Sequence, residues 1–180
     1  MHVCAAGRLY GPVPKVLIIG YGNTLRGDDA FGPRVAELLR ETEIAASIEI
    51  LSLHQLTPEL MDTLSRADLA IFLDAAAAGE PGAIAERKLD PNARSSAGFT
   101  HHATPEALLA GARILYGRAA EGVLISVAGA DFSFGADLSP AVAARVEEAA
   151  ALTRRLIAAA TPDTAANRPP GSSERTPSLG

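Results

Sequence analysis

One cysteine, Cys4, is the only thiol in this sequence. A single thiol cannot close an internal disulfide, which suits a reducing compartment. Its place among the first few residues points to a bystander rather than a ligand or redox centre. Basic residues are outnumbered, with 16 Lys and Arg against 21 Asp and Glu, for a net charge of −5 and a pI near 5.4. That balance argues against sequence-independent nucleic-acid binding, which needs a basic face. No apolar run reaches the roughly 18 residues of a membrane-crossing helix, so no membrane partner is expected. The opening residues, MHVCAAGRLYGPVPK, have no charged segment followed by a long apolar one, unlike a secretory leader. A cytoplasmic protein is the expectation.

Several catalytic signatures are missing too. There is no GxSxG elbow, no HExxH, no cysteine cluster and no Gly-Lys-Ser/Thr triplet. Ser52 and Ser126 stand near strand ends, with nothing in the sequence to place them in a triad. Residues 20–29, GYGNTLRGDD, do form a glycine-rich turn after an apolar run. The dinucleotide fingerprint needs a third glycine where Leu25 stands, and an acidic residue after the second strand, where Ser52, Leu53 and His54 stand. Asp28 and Asp29 would also repel a pyrophosphate, two like charges at about 4 Å costing on the order of 1–4 kcal/mol. No nucleotide is expected.

What is present is an alternation of short apolar runs and amphipathic stretches. Strands are expected over 15–20, 47–51, 68–74, the run AIAERKL and 122–127. One helix is expected from Phe31, Val35, Leu38 and Leu39 at helical spacing. Thr57-Pro58-Glu59, Thr104-Pro105-Glu106 and Ser139-Pro140 each join a capping hydroxyl to a proline suited to a first helical turn. They predict helices of about 57–66, 104–116 and 139–160. The turn Gly79-Glu80-Pro81-Gly82 is too short for a crossover helix, so the third and fourth strands should pair antiparallel. The fold class is therefore α/β: a three-layer α/β/α sandwich with a mostly parallel five-stranded sheet and one antiparallel strand. Residues 1–14 read as a flexible arm, 15–161 as a single domain and 162–180 as a disordered tail rich in Pro, Ser, Thr and Gly.

Ligands of such sheets gather beyond the carboxyl ends of the parallel strands. The loops there carry Asn23, Arg26, Asp28 and Asp29 after strand one, His54 and Gln55 after strand two, and Asp74 ending strand three; FTHHATPE leads into a helix. One of the two adjacent aspartates can cap the helix start, leaving the other free. A charged residue such as Asp74 ending an apolar strand is costly unless paired. His101 and His102 are neighbours, so in extended chain one of them, not both, faces the site. Two carboxylates and an imidazole suit a borderline divalent metal such as zinc, nickel or cobalt.

Together these segments resemble the hydrogenase maturation endopeptidases. IIGYGNTLRGDDAFGPRVAELL resembles the family's opening signature, G-x-G-N-x-L-x-x-D followed by Asp or Glu and then x-x-G. FLDAAAAGEPG resembles its strand ending in aspartate, and FTHHATPEALLAGARILYG its histidine-bearing segment. The resemblance spans residues 15–160. It implies an endopeptidase that removes the C-terminal extension of a [NiFe]-hydrogenase large-subunit precursor after nickel insertion. The precursor would be the partner, and would itself supply the nickel. It further implies Asp29, Asp74 and His101 as metal-facing residues, with Asp29 and Asp74 catalytic. The chain departs from the family after strand two, where HQLTPEL replaces glycines. A non-catalytic metal-sensing module or chaperone for the same precursor is the alternative.

Overall fold

The computed structural model describes residues 15–42, 47–90 and 103–160. The expected N-terminal arm and C-terminal tail, and both His101 and His102, lie outside the described residues. Five strands, β1 (Val16–Tyr21), β2 (Ile48–Leu53), β3 (Leu69–Ala76), β4 (Ile84–Leu89) and β5 (Glu121–Ala128), alternate with helices α1 (Phe31–Thr42), α2 (Leu60–Arg66), α3 (Pro105–Tyr116), α4 (Pro140–Ala143) and α5 (Val146–Ala160). The sheet order is β2-β1-β3-β5-β4, with β4 alone antiparallel. The α/β sandwich expected from the sequence is the observed architecture.

Alternation along the central strands divides the core in two. Val16, Ile18, Ile71, Leu73, Ile125 and Val127 face α1 and α5, where they meet Phe31, Val35, Leu39, Ala149 and Ile157. Leu17, Ile19, Ala70 and Phe72 face α2 and α3, where they meet Met61, Leu64, Leu108 and Leu109. Burial on both faces explains why β1 and β3 read as continuous apolar runs. The chain moves from β1 outward to β2, then returns to β3 on the other side of β1. Its connecting helices lie on opposite faces. The carboxyl ends of β1 and β3 therefore flank a topological switch point, where such sheets open a crevice.

Three details differ from the sequence reading. β4 is antiparallel, but its neighbour is β5 and not β3. Residues 77–83 wrap the end of β5 instead of folding back on β3: Gly82 N donates to Ala128 O, and Gly129 N to Ala76 O. Glu86, Arg87 and Lys88 are exposed, and such a charged strand fits a sheet edge. Thr104 does cap α3, accepting from Ala107 N, and Gly117 closes it in the left-handed region. Thr57, by contrast, precedes a turn, and α2 starts only at Leu60. The expected helix 139–160 starts at Pro140, with Ser139 as the N-cap residue, but is broken at residues 144–145; the Ser139 side chain makes no capping bond, its hydroxyl donating to Asp28.

Candidate functional site

The glycines of GYGNTLRGDDAFG let backbones meet. A Cβ on Gly20 would lie 2.1 Å from the carbonyl oxygen of Gly32, so bare glycine is what allows α1 to close onto β1. Gly22 has φ +142°, and a Cβ there would sit 1.9 Å from the carbonyl oxygen of Asp29. Both reasons reserve the position for glycine. The turn that follows is held locally. Asn23 Oδ1 accepts from Leu25 N at 2.9 Å, Arg26 N donates to Asn23 O, and Asp29 N donates to Arg26 O. Gly27–Ala30 then form a single 3₁₀ turn leading into α1.

The adjacent aspartates part company here. Asp28 is fully buried, and it does not cap the helix that follows. Its Oδ2 accepts from Ala130 N, Asp131 N and Ser139 Oγ, and its Oδ1 from Ser139 N, at 2.7–2.9 Å. It fastens the segment after β5 to the turn after β1. Burial pushes its carboxyl up, but these four bonds outweigh burial and hold it below the usual aspartate value. Asp29 is half-buried, and its Oδ2 accepts from Asn23 N at 2.8 Å. One neighbour is structural, and the other is left at the crevice.

Asp74 lies across that crevice. β3 runs two residues past it, to Ala76, so it sits within the strand and not at its tip. Its Oδ1 accepts from Ala75 N and its Oδ2 from the hydroxyl of Tyr21, both at 2.8 Å. Burial raises its pKa to about 6; the Tyr21 and Ala75 hydrogen bonds oppose the rise and the nearby charge of Asp29 adds to it. Asp29 and Asp74, singled out separately in the sequence, are thus brought within electrostatic reach. Among the described residues, no three His, Cys, Asp or Glu side chains are gathered to hold a metal ion.

Tyr21 was not a candidate from the sequence. Burial raises its pKa most strongly, followed by the charge of Asp74 and its hydrogen bond; Glu106 in the first turn of α3 adds to the rise and Arg87 opposes it. Glu106 and Arg87 form an ion pair at 2.7 Å. The start of α3 therefore lies beside the Tyr21–Asp74 pair. A signal was available in strand parity. Leu17, Ile19 and Tyr21 share one face of β1, and Ala70, Phe72 and Asp74 the same face of β3. His54 and Gln55, at the end of β2, are exposed, and Ser126 is paired in register with Asp74.

Two surface hollows lie away from the carboxylates. One is lined by Thr24, Ala30, Arg34, Ser52 and Leu138, the other by Lys15, Val16, Glu49 and Arg66 at the opposite strand ends. Neither includes Asp29 or Asp74.

Asp74 carries a testable cost. Its folded pKa is raised, so the folded state prefers the neutral acid, and stability is lost as pH rises from 3.8 through about 6. Asp74→Asn should unfold in urea like the parent below about pH 4, yet be on the order of 1–2 kcal/mol more stable at about pH 7.5, after discounting for partial exposure. Equal stabilities at both pH values would mean that burial does not strain this carboxyl.

No family model and no curated protein sequence matches the chain. Solved structures do. A [NiFe] hydrogenase maturation protease, HycI, from Thermococcus kodakarensis KOD1 superposes with a TM-score of 0.67 at 25% identity, covering 82% of this chain and 94% of that one. A hydrogenase 2 maturation peptidase from the Thaumarchaeota archaeon SCGC_AB-539-E09 gives 0.60 at 27%, covering 80% and 98%. The hydrogenase maturating endopeptidase HybD from E. coli gives 0.67 at 24%, a likeness of fold, covering 79% and 91%.

Proposed function

We propose that this chain, which has the fold of the [NiFe]-hydrogenase maturation proteases, is a peptidase that trims the C-terminal extension of a hydrogenase large-subunit precursor. The observation that carries this reading is the convergence of Asp29 and Asp74 at the switch-point crevice, one carboxylate from the β1 turn and one from β3. Two acids placed within electrostatic reach of one another favour a cation. The nickel belongs to the substrate, carried by the precursor's thiolates, and Asp29, Asp74 and His101 meet it from the protease side. That docking orients the scissile bond, and orientation alone can lower a barrier by several kcal/mol.

The nucleophile in this scheme is water. Asp74, with a pKa raised to about 6, is suited to accept its proton near neutral pH. Asp29, half-buried in the turn after β1 with Asn23 N on one oxygen, serves chiefly as the negative wall that receives the cation. The third metal-facing residue, His101, lies three positions before the α3 cap Thr104 in sequence.

Purified protein incubated with nickel-loaded and nickel-free precursor, followed by mass spectrometry, tests the proposal. Only the loaded precursor should shorten, and the purified protein alone should carry far less than one nickel per chain. Equal shortening of both precursors, or of neither, would overturn the reading. Tight stoichiometric nickel without precursor would replace the borrowed ion with a resident one.

A further inference from the structure

The polar ring of Tyr21 ends an otherwise apolar strand. Gly20 pairs with Leu73, so Tyr21 lies one step beyond, alongside Asp74, on the same face of the sheet. Its hydroxyl donates to Asp74 Oδ2 at 2.8 Å, while Ala75 N donates to Oδ1 at 2.8 Å. A carboxylate offers about four acceptor positions. One donor on each oxygen uses two of them, and fixes both the tilt and the rotation of the group.

We propose that Tyr21 is a positioning residue, whose hydroxyl, with the Ala75 amide, clamps the Asp74 carboxylate so that one acceptor position on each oxygen remains for substrate. The ring suits this task because it is anchored. It packs against the apolar cluster beneath α2 and α3, which includes Ile19, Leu60 and Leu108. A phenol has two side-chain torsions, so its hydroxyl is placed at little entropic cost. Asp74 alone, half-exposed at the crevice, would sample several rotamers. The clamp replaces that freedom with one orientation before substrate arrives, which is where positioning gains its effect.

For its kinetic test the inference rests on the protease reading. Tyr21→Phe keeps the ring and its packing and removes only the donor. Steady-state processing of nickel-loaded precursor should show kcat lower by roughly 10- to 100-fold, with KM changed less than about twofold. In a double-mutant cycle, Tyr21→Phe should add nothing to Asp74→Asn, because the hydroxyl acts only through that carboxylate. A kcat like the parent's, or fully additive losses, would overturn the proposal. So would a fall in thermal stability large enough to account for the lost activity.

A second measurement is independent of any precursor. In protein labelled at tyrosine, the Tyr21 hydroxyl proton should exchange slowly enough to be seen by NMR, and its signal should vanish in Asp74→Ala. No protected signal in the parent would remove the clamp itself. A protected signal in a protein that shortens no precursor would leave the clamp standing and remove the protease reading.

Discussion

Asparagine at position 29 or 74 should abolish precursor shortening while leaving the fold intact. Both substitutions are nearly isosteric. At position 29 the amide oxygen can still accept from Asn23 N, so the turn after β1 keeps its bond. At position 74 it can still accept from Tyr21 or Ala75. What each variant loses is a negative charge at the crevice. For Asp74 that also removes the base, and losing a positioned general base costs roughly 10²- to 10⁴-fold in rate. For Asp29 the loss is of attraction to the incoming cation, expected to appear first as weaker binding of nickel-loaded precursor. Time-resolved mass spectrometry of processing, with thermal unfolding of each variant alongside, separates the cases. If Asp29→Asn and Asp74→Asn bound the loaded precursor and it was shortened at the parental rate, the chain would not be the protease acting through these residues. A metal-sensing module would predict binding without any shortening in the parent either.

The neighbouring substitution should do the reverse. Asp28→Asn should lower stability by on the order of 3 kcal/mol, because buried donors left unpaired cost about 1–3 kcal/mol each and the effects are not additive. The change looks conservative, but all four partners of this carboxylate are donors: three backbone N–H groups and the Ser139 hydroxyl. An amide replaces one acceptor with an NH₂, so whichever way it is turned, a donor faces a donor. The segment 129–139, which runs from the end of β5 to α4, would lose part of its attachment and keep the backbone bonds Asp28 N to Asp131 O, Gly27 N to Ala136 O and Gly135 N to Leu25 O. The pH dependence follows from the depressed pKa of Asp28. A carboxyl held below its unfolded value stabilises the fold above that value, 3.8, and loses the effect as pH falls through the depressed one. Parent and variant should therefore differ most at neutral pH and draw together only in strong acid. Denaturant unfolding across that range measures it; a neutral-pH difference under about 1 kcal/mol would mean that the segment is held by something else. Two adjacent aspartates are thus expected to fail in different ways, one through chemistry and one through stability.

The contrast shows where the sequence was readable. GDD announced that two acids stood at the start of a helix, and it was sound that one of them had a structural task. The task itself was misjudged. Asp28 does not cap its own helix; its partners lie 102 to 111 residues away. The Ser139-Pro140 signal did mark a helix start, since α4 begins at Pro140, but the serine's amide and hydroxyl donate to Asp28, a partner the local sequence does not indicate, and its side chain makes no capping bond. Tyr21 and Asp74 are 53 residues apart, and nothing in GYGN indicates which side chain the phenol meets. Parity along β1 and β3 would have narrowed it, but only once the two strands are known to be neighbours.

Hydrophobic period, glycine turns and proline caps are properties of a few consecutive residues, so the alternation of strands and helices, the α/β class and the crevice-lining carboxylates could be read from the chain alone. The order of strands is different. It decided that β4 pairs with β5 beyond β3, that β1 lies beside β3, and hence that Tyr21 reaches Asp74 and Asp28 reaches Ser139. Those contacts join segments far apart in sequence, and they form only after two apolar faces are buried at once, a requirement that no local window of residues expresses.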